Sequence, residues 1–223
     1  MFDKHFNPDN SLKKPLQTIN TDTQFKEAVY CVLGVNGQVL GQVDQQGKLP
    51  VFSPTTLSPL FRTTHSFQDV CALLAINQSL LVHDWPANGE KRVYLFKQDQ
   101  LQSATNAPYV SVKDGIRSME QVGQSMVLAG GLSGYLYLME VKDNSISLLD
   151  TIKFNTGGNH INCVKQLKSN KIAIGSYNGG VRIIELIGKS IAAVGVPMAE
   201  GKSITSIAEF KDNQLLCCDL NSK

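Results

Sequence analysis

No uninterrupted apolar run in this chain approaches the roughly 20 residues that a membrane helix requires. The opening MFDKHFNPDN also lacks the basic start and apolar core of a secretory signal. The expectation is a protein of the cytoplasm or nucleus, neither secreted nor inserted in a membrane. Cysteine is sparse: Cys31, Cys71, Cys163, Cys217 and Cys218 make an odd count with no C-x-x-C spacing. That pattern argues against a disulfide framework and a zinc site, and for a reducing compartment. Charge of one sign is missing too. Lys and Arg number 21 against 19 Asp and Glu, the basic residues are scattered, and no nucleic-acid partner is expected. The single sequon, Asn77-Gln78-Ser79, carries little weight without a secretory signal.

What is present is a core's worth of apolar side chains and a repeat. A chain of 223 residues, 42% of them apolar, fits one globular domain, or at most two small ones, and hides roughly 70% of its unfolded surface without metal or disulfide staples. The stretch GSYNGGVRIIEL, 175–186, reads as strand, turn, strand. Asn178-Gly179 offers the positive φ values of a two-residue hairpin, and Ile172, Ile174, Val181, Ile183 and Ile184 favour extended backbone. Comparable phrases are GQVLGQVDQQGKLPVFS, QSLLVHDWPANGEKRVYLFK and QSMVLAGGLSGYLYLMEV, with a cut-off NQLLCCDLNSK at the end. An independent series, AVYCVLG, DVCALLA, IRSMEQV, INCVKQL and ITSIAEF, precedes them. Its equivalent residues Val29, Val70, Ile116, Ile161 and Ile204 are 41, 46, 45 and 43 residues apart.

A fourth strand is expected downstream of each hairpin, in LSPLFRTT, LQSATNA, ISLLDTIKF and SIAAVGVP. Four short strands per period of this length predict the blade of an all-β propeller. A sandwich would not repeat a four-strand phrase at a near-constant interval, and a parallel α/β fold would need helical spacing between strands. Complete blades are expected at 27–65, 66–108, 109–157 and 158–202. Residues 1–20 overlay the third and fourth strands of a blade, with DKHF on the third strand and PLQTI on LLDTI, while 203–223 supply a first and second strand. The two termini are therefore expected to share one blade in a single five-bladed domain, 1–223. The same register also fits part of a larger propeller, or an open ring completed by another protein's strand.

The phrase KIAIGSYNGGVRIIEL resembles the second-to-third strand segment of a WD-repeat blade, and HINCVKQL resembles its first strand. Ser176 and Asn178 match the small residue and turn residue of that pattern. The Trp-Asp pair is replaced by Phe96-Lys97, Met139-Glu140 and Ile184-Glu185, and the Gly-His pair is absent although His65 and His160 fall nearby. The resemblance is to a divergent member, held mostly by apolar packing, without the family's buried His, Ser, Asp and Trp network. A kelch-type propeller is the neighbouring alternative, through Gly130-Gly131 in one blade only.

Candidate chemistry is thin. His83, Asp84 and Trp85 stand together at a turn, but His83 and Asp84 fall on opposite sides of an extended strand. GGLSG and YNGG lead into strands rather than helices, so they read as turns, not phosphate loops. Cys217-Cys218 reads as one core thiol beside a less buried neighbour, and His5, His65, His83 and His160 show no ligand spacing. No catalytic set, metal or cofactor is expected. The function implied by the resemblance is a non-catalytic protein–protein interaction scaffold in a larger assembly, with Trp85, His83, Asp84, Arg92, Tyr135 and Tyr177 as candidate partner-binding residues. The alternative is a propeller enzyme with a small-molecule site at the mouth of the axial channel.

Overall fold

The computed structural model describes residues 33–35, 38–40, 46–53, 55–56, 58–154, 160–211 and 214–220. The strands expected within residues 1–20, and Val29, lie outside them. The first sheet holds β1 (Leu33–Val35), β2 (Gln38–Leu40), β3 (Pro50–Phe52) and β4 (Pro59–Arg62). The second holds β5 (Val70–Ile76), β6 (Ser79–Asp84), β7 (Lys91–Lys97) and β8 (Tyr109–Val112). β9 (Ile116–Gln121), β10 (Met126–Gly131), β11 (Tyr135–Lys142) and β12 (Ser145–Lys153) form the third. β13 (Ile161–Gln166), β14 (Ile172–Ser176), β15 (Gly180–Ile187) and β16 (Ser190–Met198) form the fourth. β17 (Ile204–Lys211) and β18 (Gln214–Asp219) pair alone. Every sheet runs in chain order and is antiparallel.

Each of the four apolar clusters fills the gap between two successive sheets, the packing of propeller blades. Phe67, Leu80, Val82, Tyr94 and Phe96 meet Leu40, Leu49 and Val51 between the first and second sheets. Leu81, Val93 and Leu95 meet Ile116, Val127, Tyr137 and Met139 between the second and third. Leu128, Leu136 and Leu138 meet Ile161, Ile172, Ile174 and Ile184 between the third and fourth. The last cluster, where Leu167, Ala173 and Val181 receive Ile204 and Ile207, is the smallest. A second strand covered on both faces reads as continuous apolar sequence; β6 and β14 are buried along their whole length. β18 holds the same place in its sheet and is mostly exposed, because nothing described covers it.

The repeat extends to an irregularity. The first residue of the first strand sits opposite the last of the second, as Val70 to Asp84, Ile116 to Gly131, Ile161 to Ser176 and Ile204 to Asp219. The next pairing skips one residue in every case, so Cys71, Arg117, Asn162 and Thr205 are β-bulges. First strands of consecutive sheets pack side by side, which sets the bulges around the inner rim. Arg117 Nη1 donates to Asn162 Oδ1 at 3.4 Å, and Asn162 Nδ2 donates to the Ile204 carbonyl at 3.0 Å, linking three sheets.

Three local expectations are corrected. The fourth strand of the second sheet is Tyr109–Val112, not 101–107: Gln98–Gln100 form a 3₁₀ turn, and Tyr109 pairs with Tyr94. That sheet therefore runs to Val112, past the expected limit at 108. The turn after β14 has three residues, Tyr177 to Gly179, with Ser176 paired to Gly180. Positive φ falls on Asn178 (57°) and Gly180 (66°), not on Gly179. The extra residue lets Asn178 reach the next sheet, where its N–H donates to Ser203 Oγ at 3.3 Å and its Oδ1 accepts from that hydroxyl at 3.0 Å. Finally, Cys217 and Cys218 are both exposed, since among the described residues no strand follows β18 in its sheet.

Candidate interaction surface on the loop face

The residue that follows the second strand of each of the second to fifth sheets is large and apolar or aromatic: Trp85, Leu132, Tyr177 and Leu220. All four are hung in one way. Their backbone N–H groups donate to the carbonyl of the residue preceding the first strand, Asp69 at 2.8 Å, Gly115 at 2.8 Å, His160 at 2.9 Å and Ser203 at 3.0 Å. One such residue in each of these four sheets makes a crown at one end of the blades. Trp85 and Leu132 bracket Gly115, where an added Cβ would come within 2.9 Å of both side chains. Tyr177, 44% exposed, has the His160 ring 5.7 Å from its own, and Leu220 is 62% exposed.

Beneath the crown lies a layer of carboxylates. Asp84 Oδ1 accepts the N–H groups of Gln68 at 2.9 Å and Asp69 at 2.8 Å. Burial raises its pKa, and those two amides pull it the other way. Asp219, its counterpart in the fifth sheet, accepts from Ser203 N–H at 3.1 Å. In the third sheet the matching residue is Gly131, and the acid arrives from the segment before the first strand: the space that a Cβ on Gly131 would need is taken by Asp114. The Tyr137 hydroxyl and the Ser133 N–H donate to Asp114, and the Lys113 N–H donates to Tyr137 Oη at 3.2 Å. Desolvation, then Asp114, hold the Tyr137 hydroxyl above its usual pKa. The sequence suggested a fold held mostly by apolar packing, yet each of these ties is polar, made by Asp84, Asp114 and Asp219 to backbone N–H groups and, at Asp114, to the Tyr137 hydroxyl.

His83 is completely buried. Its Nε2 accepts from the Ile116 N–H at 3.4 Å and its Nδ1 has no partner. Burial, with Lys91 adding to it, holds its pKa down at about 3, so the ring is neutral. The equivalent residues in the next two sheets are Gly130 and Gly175, which let Ile161 and Ile204 close against the backbone. The glycine pair at 130 and 131 thus has a packing cause in each half.

Of the six candidates, His83 and Asp84 are buried and turn no side chain to a partner, nor do they form an acid-base pair. Arg92 lies half-exposed on the second sheet, ion-paired to Glu90 at 2.7 Å and stacked 4.3 Å over Tyr109. Tyr135 is half-buried between Lys113 Nζ at 5.0 Å and Lys153 Nζ at 5.6 Å. Trp85 and Tyr177 share the crown. Leu132 and Leu220 were missed, although VHDW, AGGL, IGSY and CCDL put all four at one step of the repeat. Among the described residues no group of three His, Cys, Asp or Glu is placed to hold a metal ion, and no helix is long and apolar enough to cross a membrane.

Sheets in chain order, cores between successive sheets and first strands around the axis define a β-propeller, whole or partial. Among solved structures the chain is similar to the crystal structure of the WD40 beta propeller domain of Doa1, with a TM-score of 0.58 at 14% sequence identity. The match covers 83% of this chain and 58% of that one. The likeness is one of fold alone, that of a β-propeller. No protein-family model matches the sequence, and no curated protein matches it.

Proposed function

We propose that this chain is a non-catalytic interaction scaffold that takes a protein partner on its loop face, as part of a larger assembly. The observation that carries this reading is the crown: one structural position, repeated in four sheets, presents Trp85, Leu132, Tyr177 and Leu220 together. Trp and Tyr are the side chains that most often dominate binding energy at interfaces, and one anchor per blade gives a partner several points of grip. A reducing compartment, cytoplasm or nucleus, fits the absence of any disulfide among the described cysteines, Cys71, Cys163, Cys217 and Cys218.

The test is native mass spectrometry of the endogenous protein, which is expected in stoichiometric complex with at least one partner. In the Trp85→Ala/Tyr177→Ala variant, capture of that partner falls at least tenfold, about the loss of one interface hot spot. Tyr177→Ala alone, an exposed change that leaves the cores intact, gives a smaller drop. A strictly solitary protein, or undiminished capture by both variants, would overturn the reading.

A further inference from the structure

At the crown's end of the third sheet the first residue of β11, Tyr135, pairs with the last of β12, Lys153. At the same end of the second sheet the first residue of β7, Lys91, pairs with the last of β8, Val112, and Lys113 follows. From the axis outward the two sheets therefore offer, in step, Trp85 with Leu132, Lys91 with Tyr135, and Lys113 with Lys153. All three rows look into one seam. Trp85 and Leu132 bracket Gly115, Tyr135 packs on the core between the two sheets, and Lys91 shares the strand face of Val93 in that core. Lys113 Nζ and Lys153 Nζ both stand over the Tyr135 ring, at 5.0 and 5.6 Å. The lysines are 22 and 40 residues apart in the chain, and only the stacking of sheets gathers them.

The acids of this region are engaged elsewhere. Glu90 holds Arg92 and Ser111 on the face of the second sheet turned to the first, and Asp114 lies beneath the crown, bound by Tyr137 and Ser133. Among the described residues no carboxylate pairs with Lys91, Lys113 or Lys153.

We propose that this seam takes an acidic, extended segment of the protein partner, a reading that rests on the scaffold function above. An apolar side chain of that segment rests on Trp85 and Leu132, and its carboxylates meet Lys113 and Lys153. Second and fourth strands of a sheet lie about 10 Å apart, a span that an extended chain covers in about three residues. The carboxylates therefore stand about three positions from the apolar anchor. Two ammonium groups held over the same ring repel each other, so a carboxylate between them relieves that repulsion as well as attracting each. The rows turn apolar toward the axis, which suits the mixed side chains of a peptide and not a continuous phosphate backbone.

The experiment uses the full chain and its endogenous complex. Lys113→Glu/Lys153→Glu lowers capture of the partner about tenfold, and Lys113→Arg/Lys153→Arg retains it. A carbodiimide, which joins amines to carboxylates in contact, couples Lys113 or Lys153 to an Asp or Glu of the partner with an apolar residue about three positions away, read by peptide mass spectrometry. Undiminished capture by the Glu variant, equal loss in the Arg variant, or coupling confined to other lysines overturns the proposal. Binding of single-stranded RNA or of phosphatidylserine vesicles that the Glu variant loses while it keeps the partner overturns it in favour of that polyanion. In each of these cases the scaffold reading stands as long as the Trp85→Ala/Tyr177→Ala variant loses the partner, whereas a solitary protein overturns both.

Discussion

His83 stands where the next two sheets carry glycine, and its buried imidazole links stability to pH. The folded chain keeps the ring neutral down to about pH 3, whereas the unfolded chain protonates it near 6.5. Below 6.5 the unfolded state binds the extra proton, so stability is whole above that value and falls as the pH drops toward 3. The expected loss from His83 is on the order of 2 kcal/mol by pH 4.5. His65, also lowered by burial, acts in the same direction, and Asp84, raised by burial, opposes it. Urea denaturation at pH 7 and pH 4.5 measures the slope, and His83→Gln, which does not titrate, flattens it; an unaltered slope would remove His83 as the source. The depth of His83 was not legible in the sequence. Alternation says which side of a strand a residue takes, but both sides of β6 are covered, and only the stacking of sheets decides that. Trp85 and Tyr177 were legible, because their place in the repeat is fixed by the strand end before them.

At the scale of the strand and its turn, the carboxylate layer shows one volume filled from two directions. Asp84 and Asp219 supply it from the second strand, while Asp114 supplies it from the segment before the first, over a glycine. Asp114→Gly leaves the buried Tyr137 hydroxyl without its acceptor, at a cost of about 1–3 kcal/mol. Gly131→Asp alone sets a second carboxylate against the first and destabilises the fold as well. The double variant Asp114→Gly/Gly131→Asp rebuilds the arrangement of the second sheet and is expected to melt above either single change. A thermal double-mutant cycle measures the coupling, and simple additivity would contradict it. Strand order and spacing were readable here because turn residues and β-branched runs recur. The layer was not, since its members change identity and strand from one sheet to the next, and the outer strand at Tyr109–Val112 was misplaced because a 3₁₀ turn lengthened the connection.

For the molecule as a whole, stability is a sum over neighbouring sheets, each of which contacts only the ones beside it. Ile161, buried between the third and fourth sheets, holds the middle of this array, so Ile161→Ala costs about 2–5 kcal/mol and lowers global unfolding. Ile204 sits in the smallest cluster, so Ile204→Ala is expected to loosen β17 and β18 first, with fast exchange confined to those strands while β9 to β12 stay protected. Hydrogen exchange by mass spectrometry distinguishes the two patterns; identical global loss in both variants would contradict a chain of neighbour couplings. The bulges at Cys71, Arg117, Asn162 and Thr205 carry a further consequence. Each is excused from the ladder pairing, and its side chain is left to bond elsewhere: Asn162 reaches the Ile204 carbonyl of the next sheet, and the Thr205 hydroxyl donates to the Cys218 carbonyl at 3.2 Å. Among the described residues the inner rim is thus bordered by four positions whose residue type differs from sheet to sheet, and where the type is polar, as at Arg117, Asn162 and Thr205, the side chain becomes a clasp between neighbouring strands.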